Sequence, residues 1–255
     1  MYEKNRKDLI EVFMSGHSKW KNIMHKKEKT DAQRAKIFTK IGKEIAIAVK
    51  AGGPDPVSNA KLAQLIQKAK QNNVPNDNIE RTIKKASSSD SAALEEMRYE
   101  GYGPGGVAVI VEAATDNTNR TTPEIRSYFS KYKGNLGTTG CVGYLFEDKG
   151  VIMLSKEEGY DEDALMEAAL EAGAADFIAD DEAYIVYTED SDLEAVAQDL
   201  ENAGYKYVSA DHDKIPSTYV ELTSEDDIKY MNLLIEHLED NEDVTEVYHN
   251  WENCD

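Results

Sequence analysis

The chain has 255 residues, with 29 Lys or Arg against 49 Asp or Glu, so its formal net charge is -20 and its pI is about 4.7. No run of about 18 apolar residues occurs, so we expect no membrane helix, and the first residues lack the apolar segment of a secretory signal. Two cysteines, Cys141 and Cys254, are too few for a disulfide framework or a thiolate metal cage. We therefore expect a cytoplasmic protein in a reducing compartment, without a cofactor.

The charge is divided unevenly along the chain. Residues 1–86 hold 19 basic and 9 acidic side chains, a net charge of +10, whereas residues 87–255 hold 10 and 40, a net charge of -30. A basic module joined to an acidic body is typical of a protein that contacts a polyanion through one part only. Lys-rich helices with solvated faces would give the same count, so the charge alone leaves both interpretations open.

The basic half begins with a segment that we predict to be an arm. Residues 15–29 are basic and lack apolar periodicity, so we expect them to become ordered on binding. Lysines there can pair with phosphates, and the indole of Trp20 can stack on an unpaired base; equally, Trp20 could anchor the arm to the rest of the protein. The candidate nucleic-acid-binding residues of the arm and the following helix are His17, Lys19, Trp20, Lys21, His25, Lys26, Lys27, Arg34, Lys36 and Lys40.

Three short helices that form a small basic bundle are predicted next. Thr30 and Gln33 resemble a capping box, and apolar residues then recur at helical spacing until Gly52. A second helix is predicted after Asn59 and a third after Pro75. The residues expected to face the core of the bundle are Ile37, Ile41, Ile45, Leu62, Leu65, Ile66, Ala69, Ile79 and Ile83.

The segment 87–91, SSSDS, has the composition of a linker, and after it the pattern changes to alternating strands and helices. A buried strand is predicted at 107–113, followed by a helix that Thr122 caps and Pro123 opens. Further strands are predicted at 141–146, 150–154, 176–179, 183–188, 205–210, 219–222 and 244–249. Further helices are predicted at 161–172, 192–203 and 225–239, the last capped by Ser224.

This order of elements predicts an α+β multidomain protein. Residues 150–210 read as βαββαβ, a complete ferredoxin-like unit, and the flanking βαβ segments would together form a second one. We favour insertion of the first unit into the second, because neither flanking half alone would bury both faces of a sheet; two sequential domains are the alternative. The predicted domains are an extension at 1–13, a basic helical domain at 14–92, a discontinuous ferredoxin-like domain at 93–147 and 215–255, and an acidic inserted ferredoxin-like domain at 148–214.

Residues typical of catalysis are not arranged in a recognisable site. The glycines of 101–106 satisfy G-x-G-x-x-G as text, but they precede a predicted strand instead of opening a helix, so they predict a tight turn. The five histidines lack metal-site spacing, and Cys141 is expected to lie in the core. We therefore predict a protein that is not an enzyme and has no metal site and no small-molecule substrate.

One polar loop is a candidate partner-binding site. Residues 116–121, DNTNRT, are dense in side-chain donors and acceptors, and the candidate contacts are Asp116, Asn117, Asn119 and Arg120. The same residues are also suited to capping the helix that follows. Both interpretations stay open at this point.

Several short motifs, in order, resemble the YebC/PmpR family. They are SGHSKWKNI at 15–23, the helix AKIFTKIGKEI, YEGYGPGG at 99–106, DNTNRT at 116–121, GNLG at 134–137, IPST at 215–218 and EVYHN at 246–250. The resemblance extends from Met14 nearly to the C-terminus and leaves residues 1–13 outside it as an extension. Lys133 stands where a glycine is common in the family.

The resemblance implies a three-domain bacterial protein of the cytoplasm without known catalytic activity. It implies one of two partners: DNA, as for a transcriptional regulator, or the ribosome, as for a factor that relieves stalling at stretches such as proline runs. Only Arg34 and Arg81 are arginines between residues 15 and 86, and lysine suits phosphate better than bidentate reading of base edges. We therefore favour ribosomal RNA over DNA, with basic ribosomal proteins as possible partners of the acidic domains.

Overall fold

A computed structural model describes residues 31–88 and 94–254, which form an α+β fold with N-terminal helices and two antiparallel four-stranded sheets. The predicted extension, the arm and most of the predicted linker lie outside the described residues. The elements in chain order are α1 (Asp31–Gly52), α2 (Ala60–Gln71), α3 (Asn76–Ala86), β1 (Glu95–Tyr102), β2 (Ala108–Thr115), α4 (Thr118–Lys131), β3 (Asn135–Leu136), β4 (Phe146–Ser155), α5 (Glu162–Glu171), β5 (Asp176–Ala179), β6 (Ala183–Glu189), α6 (Leu193–Asn202), β7 (Ser209–Pro216), α7 (Glu225–Asp240) and β8 (Val244–His249).

The described chain divides into two compact units. One contains α1 to β3 together with α7 and β8, and the other contains β4 to β7. The helices of the basic half therefore belong to the same unit as the first sheet.

Helices α1, α2 and α3 form the predicted bundle, and the three predicted starts and the predicted end of α1 are confirmed to within two residues. Their shared core holds Ile41, Ile45, Leu62, Leu65 and Ile79, each at most 4% exposed. These residues recur at spacings of three and four, so each helix buries one stripe and leaves its charged residues outside.

Asn59 connects the first two helices. Its side-chain oxygen accepts a hydrogen bond from the backbone N–H of Leu62 at 3.1 Å, which caps α2. Its amide nitrogen donates to the carbonyl oxygens of Ala48 and Gly53, both at 2.8 Å, near the C-terminus of α1. The side chain thus joins the start of α2 to the end of α1 through three hydrogen bonds to the backbone.

The first sheet has the strand order β3-β1-β2-β8. The predicted strand at 107–113 corresponds to β2 and that at 244–249 to β8, whereas β1 was not predicted, because half of the residues in its sequence EEMRYEGY are charged. The glycine-rich segment after β1 forms the predicted turn, in which Gly105 has a φ of +65° and Gly106 a φ of +83°. That left-handed backbone is favoured by glycine.

Three predicted elements of this unit were wrong. The helix after β2 begins at Thr118 under an Asn117 cap, not at Pro123 under Thr122, because the Asn117 side chain accepts from the backbone N–H of Arg120 at 3.1 Å. No strand covers 141–146, where a loop and a 3₁₀ turn lead into β4. Cys141, expected in a core strand, lies half-buried in that loop.

The third wrong element is the strand at 219–222. Only Val220 forms a β-bridge there, with Trp251. The fourth strand of this sheet is instead β1, which comes before β2 in the chain and lies between β2 and β3 in the sheet.

The second sheet has the order β5-β6-β4-β7, and all its neighbouring strands are antiparallel. Its elements follow one another as βαββαβ, as predicted for residues 150–210. The last strand begins four residues later than predicted, at Ser209. Helices α5 and α6 cover one face through Leu165, Val196 and Leu200, which are buried.

A tight turn between α4 and β3 contains the residue that departs from the family pattern. Lys133 has a φ of +60°, in the left-handed region that disfavours side chains with a Cβ. A glycine, common there in the family, would adopt this backbone without strain.

The links made by Asn59 predict a measurable loss of stability on its removal. We expect Asn59→Ala to lower the free energy of unfolding by about 2 kcal/mol, because it removes a helix cap worth about 1 kcal/mol and two further side-chain hydrogen bonds. Urea unfolding followed by far-ultraviolet circular dichroism measures the change. Asn72→Ala is the matched control, because the Asn72 amide makes one hydrogen bond, to the carbonyl oxygen of Lys68; equal losses for the two variants would contradict the assignment.

Candidate nucleic-acid interface

One face of α1 presents lysines to the acidic end of α7. Lys36 Nζ lies 2.8 Å from Asp240 Oδ1. One turn further along, Lys40 Nζ donates to the carbonyl oxygen of Glu239 at 2.6 Å. Because a helix C-terminus carries partial negative charge, these contacts stabilise the docking of α1 against α7.

Lys43 continues the same face of α1 and reaches a buried carboxylate. Its Nζ lies 2.7 Å from Asp243 Oδ1 and donates to the carbonyl oxygen of Glu242 at 2.9 Å. The side chain of Asp243 is only 5% exposed. The contact therefore lies in a partly dry environment, where an ion pair is stronger than at the surface.

The second oxygen of Asp243 joins the start of α4 to the same centre. Its Oδ2 accepts from the Arg120 guanidinium and from the Thr121 hydroxyl, each at 2.7 Å, and from the Thr115 hydroxyl at 3.2 Å. Burial opposes ionisation, but the hydrogen bonds from Lys43, Arg120 and Thr121 outweigh it and hold the pKa of Asp243 well below its ordinary value. Asp243 is therefore ionised throughout the neutral pH range.

Lys68 of α2 makes a second link to the sheet. Its Nζ lies 2.7 Å from Glu246 of β8 and 3.3 Å from Glu44 of α1. Burial, with the neighbouring Glu246, raises the pKa of Glu44 despite the opposing charge of Lys68. One lysine thus serves two carboxylates.

Most residues of the candidate partner loop, 116–121, make contacts within the protein. Asn117 caps α4, and Arg120 pairs with Asp243 and, at 3.1 Å, with Asp116. Asn119 is exposed. Asp116 and Arg120 also line a polar cleft of about 430 Å³ together with Lys43, Glu124 and Asn241.

Only three of the ten predicted nucleic-acid-binding residues lie within the described part of the chain. His17, Lys19, Trp20, Lys21, His25, Lys26 and Lys27 lie outside the described residues. Arg34 is exposed on α1, while Lys36 and Lys40 contact α7 as described above. The structure therefore brings two of the ten candidates together, on the docked face of α1.

Five further cations were not singled out from the sequence. They lie on the outer surfaces of α2 and α3, and all are exposed: Lys61, Lys70, Arg81, Lys84 and Lys85. The signal that could have found the last three is their spacing of three and four residues, opposite the buried Ile79.

The described residues contain no group of three or more His, Cys, Asp or Glu side chains that could hold a metal ion. Burial, with the nearby charge of Glu100, raises the pKa of the Cys141 thiol, which opposes formation of a reactive thiolate. Within this same portion of the chain, every helix is too short or too polar to cross a membrane.

Comparison with known proteins gives matches over nearly the whole chain. A family model described as the TACO1/YebC protein N-terminal domain matches residues 18–89, and one described as the TACO1/YebC second and third domain matches residues 94–251. A relative from Acetivibrio thermocellus is 56% identical over 239 residues, which are 93% of this chain and 99% of the relative. A relative from Agathobacter rectalis is 54% identical over 241 residues, 94% of this chain and 100% of the relative.

Both relatives are named probable transcriptional regulatory protein. A crystal structure of a conserved hypothetical protein from Aquifex aeolicus is also similar, with a TM-score of 0.78 and 43% identity. The match covers 88% of this chain and 93% of that one.

The network around Asp243 predicts a pH-dependent loss of stability in the variant Asp243→Asn. Near neutral pH we expect it to unfold about 3 kcal/mol more easily, because Lys43 and Arg120 lose their buried counter-charge. A carboxylate with a depressed folded pKa contributes its stability above its unfolded pKa of about 4 and loses it as the pH falls below that value. The difference between the two proteins should therefore shrink at acidic pH in urea titrations.

Asp240→Asn is the control for this experiment. The Asp240 side chain is 64% exposed and pairs only with Lys36 among the ion pairs described. Its removal should cost less than about 0.5 kcal/mol. A loss as large as that of Asp243→Asn would contradict the central place of Asp243.

Proposed function

The chain belongs to the TACO1/YebC family, and on that basis we propose that it is a nucleic-acid-binding regulator of gene expression that acts on translation. The proposed partner is the ribosome, bound through ribosomal RNA by the basic arm and helices, with relief of stalled translation as the result. In this role the protein catalyses no reaction and acts in the cytoplasm. The observation that carries the proposal is the charge division, +10 in residues 1–86 and -30 in the rest.

The domain organisation belongs to the same proposal. The basic helical domain, 14–92, makes the nucleic-acid contact, and the discontinuous domain, 93–147 and 215–255, holds it in position. The acidic ferredoxin-like domain, 148–214, is inserted between the two halves of the discontinuous domain. Its charge repels phosphate, so it favours a single orientation on RNA and suits contact with a basic ribosomal protein.

The lysine contacts of α1 refine which cations would meet RNA. Lys36 and Lys40 already contact the end of α7, so binding through them would have to break those contacts. The exposed cations of α2 and α3 are better placed for phosphate. Lysine-rich surfaces of this kind neutralise phosphates without reading base edges, which favours structured RNA over a specific DNA site.

A second candidate is a DNA-binding transcriptional regulator. The names of the relatives favour it, since both are called probable transcriptional regulatory protein. The exposed Arg81, with Lys84 and Lys85 on α3, would then contact the DNA backbone. The two candidates differ in the nucleic acid bound and can be separated directly.

Charge reversal in the arm tests the proposal. We expect Lys19→Glu, Lys21→Glu and Lys27→Glu combined to abolish co-sedimentation with purified ribosomes at moderate salt. Because phosphate contacts release counterions, the slope of log affinity against log salt should fall by about two. Fluorescence anisotropy with duplex DNA, run in parallel, should show only weak, sequence-independent binding.

Lys156→Glu, Lys206→Glu and Lys229→Glu combined is the matched control, since it makes the same change of charge outside the basic half. It should sediment with ribosomes as the wild type does. Loss of ribosome binding in both variants would show that binding depends on the net charge of the protein and not on the arm, which would contradict the proposal. Tight sequence-selective DNA binding without ribosome binding would replace the proposal with its second candidate.

A further inference from the structure

A loop of the acidic part of the chain presents two tyrosine rings to solvent. We name residues 137–144, together with Tyr102 at the end of β1, the tyrosine loop. Tyr144 is 74% exposed and Tyr102 is 36% exposed. The Tyr102 hydroxyl donates to the carbonyl oxygen of Cys141 at 3.4 Å. Partial desolvation raises the pKa of Tyr102, and the phenol of Tyr144 adds to this effect.

A buried carboxylate holds this loop in place. Glu100, 3% exposed, accepts hydrogen bonds from the backbone N–H groups of Val142 at 3.0 Å and Gly143 at 2.7 Å, and Arg98 Nε lies 3.0 Å from it. Burial opposes ionisation, but these hydrogen bonds and the charge of Arg98 lower the pKa of Glu100. The backbone of the loop is therefore pre-organised for binding.

The glycines of the loop allow this close packing. A Cβ on Gly143 would lie 2.6 Å from Arg98 Nη2, and one on Gly137 would lie 2.5 Å from the Cys141 sulfur. A side chain at either position would therefore force a neighbouring side chain, that of Arg98 or Cys141, to shift.

The local charge distinguishes this surface from the rest of the acidic part. Residues 125–146 contain three cations and no acidic residue, whereas residues 87–255 as a whole carry -30. Two of those cations, Arg126 and Lys131, are exposed on α4, and the third, Lys133, pairs with Asp226 at 3.3 Å. Lys133 stands two residues before Asn135, which pairs with Tyr102 between β3 and β1.

The ring of Tyr144, exposed in a stretch of sequence without acidic residues, fits an unpaired nucleotide better than an apolar protein surface. Aromatic rings stack on bases regardless of sequence, and nearby cations and hydroxyls accommodate the phosphate and the ribose. The large exposed aliphatic side chains of the described residues lie elsewhere, at Val57, Met166 and Leu170. The tyrosine loop therefore lacks the aliphatic character of a protein-docking patch.

We propose that the tyrosine loop is a second RNA-contacting surface, on which Tyr144 and Tyr102 stack unpaired bases. This inference rests on the proposed function, because it assigns a further contact with the same RNA partner. The arm would supply the phosphate contacts and hence the salt dependence. The loop would supply stacking, which salt affects little.

Ring removal tests the inference. The probe is a short fluorescein-labelled single-stranded oligoadenylate, followed by anisotropy across a salt series. Tyr144→Ala should weaken binding about tenfold, and Tyr144→Phe, which keeps the ring, should bind as the wild type does. The slope of log affinity against log salt should stay unchanged in both variants, unlike in the arm variant.

The outcomes separate the loop from the arm. Equal binding by wild type and Tyr144→Ala, with the arm variant impaired, would overturn the loop assignment and leave the proposed function standing. Loss of ribosome binding in Tyr144→Ala without loss of RNA affinity would identify a ribosomal protein as the partner and also overturn base stacking. Failure of the wild type to bind this RNA at all would overturn the loop assignment, whereas the proposed function would be decided by co-sedimentation with ribosomes. Tyr102→Ala, with Tyr102→Phe as its control, repeats the test at the second ring.

Discussion

A single buried carboxylate, that of Asp243, joins three parts of the first unit. It accepts from Lys43 of α1 through one oxygen and from Arg120, Thr121 and Thr115 through the other, while its carbonyl oxygen accepts from the backbone N–H of Ala114. Two cations and hydroxyl groups compensate a charge that would be costly to bury alone. The helical bundle, the β2–α4 connection and the end of α7 consequently share one electrostatic anchor.

This anchor changes how the positive charge of the basic half should be understood. A count of charges treats every lysine alike, yet one face of α1 uses its lysines to dock against the chain's own acidic residues. Lys43 and Lys68 hold the fold together, and Arg34, Lys61 and Lys70 are exposed. Net charge predicts a module with affinity for polyanions, but packing decides which of its cations are exposed.

Local patterns predicted most of the fold. The bundle, the βαββαβ order of the second sheet and α7 follow from helical spacing, caps and short apolar runs. β1 escaped prediction because Arg98 and Glu100 are charged residues in an inner strand, where Glu100 is buried to hold a distant loop. The start of α4 was misplaced because Pro123 is a stronger textual signal than Asn117, although only the latter makes the cap. For the candidate site, composition predicted only that the N-terminal half is basic. The contacts themselves were not predictable, because pairing across some 200 residues, as between Lys43 and Asp243, leaves no local signal.

The outer strand β7 of the second sheet bears on how this protein tolerates crowding. Among the described strands it pairs with β4 alone, and it carries Asp211, Asp213 and Lys214 before ending at Pro216. Charged residues and a terminal proline on an edge strand discourage other chains from adding to the sheet. The opposite outer strand, β5, is only four residues long and offers little to extend. Both edges of this sheet therefore discourage the addition of further strands, which limits aggregation through this domain.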